Sequence, residues 1–522
     1  MKVPDARRRN KALFPAALSA TVAILLFSSY SSASEWRVLP RLNLIETYSD
    51  NVTLRAGNPS DDFITQINPG VSLRGLASRY KVDATYVMNN LLYAQNSNFN
   101  RIQNQLNANG TGELVKDLFF VDGRAQIAQQ NITLVGAQPI DNVNVTGNRT
   151  TVSSYFLSPY LRHRFQNFAT TELRYTHNWV NTTVNPLFNS TGDSFLFNLN
   201  SGTAFNTLLW GANYSKQMIH FANGRNAEFE RATGNLRYRL TSQFALTGTG
   251  GYEHNSFISI RGSTSAPIWN VGFIWEPTER TNIAVTGGQR FFGNTYNALA
   301  THRTRLTVWR FGYVQDITTF NQQQTLGIGI PGTLGGSLTQ LLTAQNPGVS
   351  PDVIQQNSAS LVGLGLSGSV FGPTNFLTNQ LFLQKTLQAS VAMNGTRNTI
   401  LLNLFNMSRE AFSSGFADIG FVGAQNLAFL QHTIQSGVNT MWSHRLSERT
   451  NANLNFAYTK FKFLGTGRVD DFIFVMLGLT KQFNLQPNLS GSIHVRHQQR
   501  SSNQLGSDYQ EQAVIGSLNM SF

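Results

Sequence analysis

Arg162 and Arg164, and again Arg237 and Arg239, stand two residues apart in stretches that alternate like β-strands. In an extended chain residues i and i+2 share one face, so each pair aims its guanidinium groups the same way. Arg231 falls on the face of the second pair, Glu172 and Arg174 form a similar step, and Arg124 lies on the polar side of its own stretch. Guanidinium groups in a row concentrate anions and hold carboxylate or phosphate through paired hydrogen bonds. The alternative is internal: Glu172, Asp122 and neighbouring carboxylates could absorb these arginines in a closed charge ladder. Both readings stay open in the sequence.

Other chemistry is sparse. Cysteine is absent, which removes disulfides, thiolate catalysis and cysteine-ligated metals. His163 and His177 fall on the apolar sides of their stretches. His494 and His497, three apart, point to opposite faces of a strand and cannot share a metal. No histidine has a Ser or Asp at a readable spacing, so no hydrolytic triad or dyad is legible. The expectation is a protein that is not an enzyme and uses no cofactor or metal. Asp50, Asp61, Asp62, Asp470 and Asp471 are expected in external loops, as turn formers or, alternatively, as ligands for divalent cations. No phosphate loop, dinucleotide fingerprint or nucleic-acid module is present.

The elements that must position the arginines alternate with period two from Leu42 onward. Phe63, Thr65, Ile67, Pro69, Val71 and Leu73 share one face, with Gln66, Asn68, Ser72 and Arg74 opposite. Trp269-Val271-Phe273-Trp275 and Ala452-Leu454-Phe456-Tyr458 repeat the pattern. The chain closes the same way, with Val514, Gly516, Leu518, Met520 and Phe522 against Ile515, Ser517, Asn519 and Ser521. A final aromatic on an alternating strand marks a transmembrane β-barrel, whose apolar face meets lipid and whose polar face meets the lumen. Tyr80, Trp179, Trp210, Tyr252 and Trp442 near strand ends suit interfacial girdles.

At the N-terminus, Arg7, Arg8, Arg9 and Lys11 precede an apolar run from Ala12 to Phe27 and small residues at Ser31–Ser34. This reads as a cleaved signal peptide over residues 1–33, with the barrel over 34–522. The leader carries a net +4 (Lys2, Arg7, Arg8, Arg9 and Lys11 against Asp5), which leaves about +9 of the formal +13 for the rest. Charged residues make up only 13% of the chain, yet mean hydropathy is slightly negative at −0.19. Strands that are apolar on one side only reconcile the two.

Tight connections such as Leu76–Arg79, Gln166–Ala169, Thr241–Gln243 and Leu446–Thr450 alternate with longer polar ones such as Asp50–Asp62, Gln129–Thr150 and Gln217–Ala227. Short periplasmic turns and longer external loops follow. The expected fold is all-β, a single antiparallel transmembrane β-barrel of about 22 strands, within roughly 18 to 24. One ascending strand is inferred rather than read, and is expected within Asp316–Ile330. Residues 332–378 break the pattern, with short helices expected at Ser337–Gln345 and Pro351–Ser360 before an apolar Gly/Ser-rich stretch, Leu361–Phe371. A barrel this wide is plugged in known cases, so the insert reads equally as a lumenal plug or as a loop over the mouth.

Glu46-Thr47-Tyr48-Ser49-Asp50-Asn51-Val52, then Trp275-Glu276-Pro277-Thr278-Glu279-Arg280-Thr281, Gln289-Arg290-Phe291-Phe292-Gly293 and Leu446-Ser447-Glu448-Arg449-Thr450, carry a family likeness. They resemble the outer-membrane β-barrel proteins associated with exosortase (PEP-CTERM) systems, whose genes accompany exopolysaccharide synthesis. The resemblance implies residence in the outer membrane of a Gram-negative bacterium and a step in export or assembly of a surface polysaccharide. It supplies no catalytic or ligand residues.

The reading is a channel whose lumen is lined by Arg124, Arg162, Arg164, Arg174, Arg231, Arg237 and Arg239. The alternative is a non-conducting anchor that binds polysaccharide through its loops. Expected partners are outer-membrane lipid and lipopolysaccharide, the barrel-insertion machinery through the strand ending in Phe522, an anionic polysaccharide and periplasmic export proteins, but no nucleic acid.

Overall fold

The computed structural model describes residues 35–325, 372–415, 428–484 and 488–522. The leader region and the two helices expected inside the insert, with the apolar stretch that follows them, lie outside these residues.

The strands run in chain order as β1 (Glu35–Ser49), β2 (Asp62–Leu76), β3 (Tyr80–Tyr93), β4 (Arg101–Val115), β5 (Phe119–Asn131), β6 (Arg149–Phe165), β7 (Ala169–Thr182) and β8 (Ser190–Ser201). They continue as β9 (Leu208–Phe221), β10 (Asn226–Arg239), β11 (Phe244–Ser256), β12 (Ala266–Thr278), β13 (Thr281–Arg290), β14 (Gly293–Arg303) and β15 (Thr307–Thr318). After a short helix, α1 (Phe320–Thr325), come β16 (Phe382–Asn394), β17 (Asn398–Ala411), β18 (His432–Ser447), β19 (Thr450–Phe463), β20 (Arg468–Phe483), β21 (Asn488–Ser502) and β22 (Tyr509–Ser521). All belong to one 22-stranded sheet. Each strand pairs antiparallel with the next, and β22 returns to β1 from Arg41↔Ser521 to Ser49↔Ala513. Closure gives every strand a neighbour on both sides, so the backbone groups are satisfied mainly within the sheet, as a lipid environment requires.

The two faces separate as the alternation implies. On β2, Phe63, Ile67 and Val71 are exposed while Asp62, Ile64, Gln66 and Asn68 are buried. On β22, Val514 and Leu518 are exposed and Glu511, Ala513, Ile515 and Ser517 are buried. Outward rows such as Trp269, Val271 and Trp275 form the lipid-facing surface. Aromatics collect at its borders: Trp36 donates to the Tyr80 hydroxyl (3.1 Å), and Phe168, Phe205 and Trp210 interlock beside a turn.

Turns at residues 77–79, 166–168, 279–280 and 395–397 mark the short-turn, periplasmic end, and connections such as 50–61, 132–148 and 319–381 the external end. The stretch expected as a long loop at Gln217–Ala227 is mostly strand, because Gly224 at φ +82° closes a tight hairpin at 222–225. The ascending strand is not within Asp316–Ile330 but is β15 itself, reached from β14 by a turn at 304–306. That turn holds no Gly, Asn or Pro. The Thr304 hydroxyl makes it, accepting from the backbone N–H groups of Leu306 (3.3 Å) and Thr307 (2.9 Å).

Three glycines sit opposite rings on neighbouring strands. Gly75 faces Trp36, Gly437 faces Phe405 and Gly478 faces His494, and a Cβ at any of them would fall within 2.7 Å of the ring. The missing side chain is the space the ring occupies.

Candidate functional site: the lumen

Chain fills part of the external half of the lumen. The filling starts with residues 132–148, between β5 and β6. The sequence places them in an external loop, but they fold into the barrel and reach the walls formed by β3 and β4 on one side and β20 to β22 beyond. Gln138 donates its backbone N–H to the Tyr509 hydroxyl on β22 (3.1 Å), and that hydroxyl donates to the Gln138 carbonyl (3.4 Å). Tyr93 on β3 donates to the Val143 carbonyl (2.6 Å), and Arg101 on β4 donates to the carbonyls of Asn142 (2.7 Å) and Asn144 (3.0 Å).

Charge locks the far side. Arg496 on β21 is fully buried between Asp141 of the loop and Glu511 of β22, with both Glu511 oxygens at 3.0 Å. Asn144 also donates to Glu511 (2.7 Å). One level up, Arg500 pairs with Asp470 and donates to the loop carbonyls of Gly136 and Leu134, while Arg468 donates to Val135 (3.1 Å) and pairs with Asp470 (2.9 Å). Buried charges persist only when paired and hydrogen-bonded, and here the pairing is what holds the loop. Asp62, Asp470 and Asp471 are therefore strand residues rather than external-loop ligands. Asp62 accepts the backbone N–H groups of Gln95 (2.9 Å) and Asn96 (3.0 Å), and Asp471 faces outward beside Lys460.

The loop also brings apolar residues inside. Leu134 and Ile140 pack with Phe461, Phe463, Phe472, Phe474 and Met476 in one buried cluster. The expectation that apolar faces meet lipid fails locally for β19 and β20, where these rings point inward and Lys460 and Lys462 point out. The infolded loop supplies the apolar partner that lipid supplies elsewhere.

A second inward element enters between β15 and β16. Helix α1 lies against the inner faces of β7, β8 and β9. Asn321 donates to Asn178 and Ser190 (both 2.9 Å), Gln322 to Gln217 (2.7 Å), and Gln324 exchanges amides with Gln130 on β5 (2.7 and 3.0 Å). At the other described end, Thr374 and Gln435 of β18 exchange two hydrogen bonds (2.8 and 3.0 Å), and Leu377 donates to the Ile132 carbonyl (3.1 Å). The described flanks of the insert thus meet the 132–148 loop inside the barrel. The sequence marks the insert as a candidate plug, but not the infolding of 132–148 or the arginines that hold it, Arg468, Arg496 and Arg500, because Val135, Gly136 and Asp141 lie more than 300 residues from them along the chain.

In the periplasmic half, strand register puts Arg124, Arg162, Arg164, Arg174, Arg237 and Arg239 on the inner face, with Arg231 higher up. Some are engaged. Arg162 contacts Glu172 (2.8 Å), and Arg174 bridges Glu172 (2.9 Å) and Asp122 (2.8 Å) with its guanidinium 3.7 Å from the Tyr160 ring centre. Arg231 reaches Glu253 only at 3.8 Å, which Arg290 binds at 2.8 Å. Others are loosely held. Arg124 has Asn109 (2.9 Å) and the Phe156 face, Arg237 touches Glu276 at 3.9 Å with its Nε unpartnered, and Arg239 donates to the Asn206 carbonyl (3.3 Å). Arg164 is exposed near the rim.

Register adds Arg41, Arg303, Arg310 and Arg445 to the same inner half, where the acids among the described residues of these strands are chiefly Asp83, Asp122, Glu172 and Glu276. Among the described residues no group of three or more acids or histidines is placed to hold a metal.

The family model described as "Putative beta-barrel porin 2" matches residues 425–522, the last strands of the sheet. No curated protein sequence matches the chain. Among solved structures, the ferric-catecholate import receptor Fiu from E. coli K12 aligns over 92% of this chain and 81% of its own, with 9% identity and a TM-score of 0.46. The outer-membrane protein OpdK from Pseudomonas aeruginosa aligns over 93% of this chain and 99% of its own, with 9% identity and a TM-score of 0.34.

Proposed function

We propose that this porin-like barrel of the outer membrane is a channel for anionic solutes that takes part in exporting or assembling an acidic exopolysaccharide, as the exosortase-type sequence motifs imply. The observation that supports the reading most is the imbalance of the inner wall. In the external half, Arg468, Arg496 and Arg500 are matched by Asp141, Asp470 and Glu511 and serve the infolded loop. In the periplasmic half, arginines outnumber carboxylates and several lack a close partner. Fixed positive charge on a low-dielectric wall concentrates anions, and guanidinium groups suit carboxylate or phosphate. Arg124, Arg162, Arg164, Arg174, Arg231, Arg237 and Arg239 are the residues assigned to this lining.

A second reading, a non-conducting anchor, is favoured by one observation: chain crosses the external half from wall to wall. Planar-bilayer recordings of the intact protein and of a variant lacking residues 332–378 separate the two. Anion-selective current from the intact barrel supports the channel. Current only after deletion makes the insert a plug. Silence from both leaves the anchor.

A further inference from the structure

On the outer surface, at the external ends of β16 to β19, lysines collect above the lipid-facing band. The row Ala389, Leu404, Val438, Tyr458 and Ile473 runs level across β16 to β20 and is the last wholly uncharged and largely apolar one. The next outward row runs Leu387, Asn406, Ser436, Lys460 and Asp471, and the one above it Lys385, Ser408, Ile434, Lys462 and Val469. Lys385 and Lys462 are three strand spacings apart, roughly 14 Å at about 4.8 Å per strand. Arg261, from the connection between β11 and β12, reaches the same patch and pairs with outward-facing Glu410 (2.8 Å).

Four permanent cations thus face two carboxylates. Lys385 shares Glu410 with Arg261 at 3.4 Å, His432 stands 3.7 Å from the same carboxylate, and Lys460 is 3.4 Å from Asp471. Lys462 is exposed and has no hydrogen bond or ion pair among the described residues. Tyr458, whose hydroxyl donates to Asp471 (2.5 Å), stands at the boundary where an amphipathic ring marks a headgroup level.

We infer that this patch is a binding site for the phosphate groups of lipopolysaccharide in the outer leaflet. The cations stand outside the barrel, where a solute in the lumen cannot reach them, and directly above the apolar band, where headgroup phosphates lie. Their position at the long-loop end selects the outer leaflet, so the phospholipids of the inner leaflet meet the opposite rim. The spacing suits a headgroup bearing more than one phosphate better than a single small anion.

The test uses the folded full-length barrel in detergent, with folding verified by heat-modifiable gel mobility. Binding of bisphosphorylated lipid A is compared with dephosphorylated lipid A, phosphatidylglycerol and inorganic phosphate. The variant carrying Lys385→Gln, Lys460→Gln and Lys462→Gln should bind lipid A on the order of a hundredfold more weakly, since each cation near an anionic lipid surface contributes a factor of about five. Lys216→Gln, an outward lysine on β9, should change little. Unchanged binding by the triple variant overturns the site. So does an equal loss in Lys216→Gln, undiminished binding of the dephosphorylated lipid, or equal binding of phosphatidylglycerol. Competition by inorganic phosphate at the affinity of lipid A would overturn the headgroup assignment.

Discussion

Arg496 illustrates how one side chain can decide the state of the lumen. It is fully buried, and its two partners come from different elements, Asp141 of the infolded loop and Glu511 of the wall. Removing one member of a buried pair typically costs about 3–5 kcal/mol, because the other charge stays behind unpaired. Since the chain has no native cysteine, a reporter thiol can be placed cleanly. Ile140→Cys, at a position 1% exposed, should resist a membrane-impermeant maleimide in the intact barrel and label rapidly when Arg496→Gln is added. Equal labelling in both backgrounds would show that Arg496 does not hold the loop. Gly437 offers a packing test. A side chain there collides with the Phe405 ring at 2.7 Å, so Gly437→Leu should cost about 1–3 kcal/mol and lower the temperature at which heat-modifiable mobility is lost. These residues were not legible in advance. Arg496 reads as one more polar-face arginine until Asp141, some 355 positions away, is brought beside it.

Strands were the legible elements, and connections were not. The inside/outside alternation of β2, β3, β12 and β22 follows directly from the sequence, because a strand with lipid on one side must carry period-two apolarity. The turn at 304–306 carries no turn signature in the sequence, since a threonine hydroxyl does the work usually done by Gly, Asn or Pro. The inward course of 132–148 is illegible for a different reason: a polar connection has the same composition whether water or a polar lumen surrounds it. The inward helix makes its own prediction. Gln130→Cys with Gln324→Cys should be joined by a short bismaleimide in the folded barrel, given the paired amides at 2.7 and 3.0 Å. Failure to cross-link while both thiols label singly would place α1 away from β5. The β5–β6 loop can be tested by excision as well. A barrel whose residues 137–144 are replaced by a short Gly/Ser linker should conduct more than its parent, and no change would mean that the loop does not limit the passage.

Taken as a whole, the molecule is a closed 22-stranded wall with chain folded into its external half. The strand number and the sidedness follow from the alternation of tight and long connections, and the final aromatic strand closes against β1 as its pattern implies. What alternation cannot encode is the content of the lumen, which depends on contacts between segments hundreds of residues apart. The charge ladder weighed against an anion path from the sequence alone describes part of the wall, at Arg162, Arg174, Glu172 and Asp122, but leaves Arg124, Arg164, Arg237 and Arg239 loosely committed. The central claim is that this excess of cations selects anions. Its most direct test is the reversal potential under a potassium chloride gradient, for the barrel lacking residues 332–378 and for the same barrel carrying Arg162→Gln, Arg164→Gln, Arg237→Gln and Arg239→Gln. The account predicts clear anion selectivity that falls toward neutrality in the quadruple variant. A cation-selective pore, or a selectivity that the four substitutions leave untouched, would contradict it.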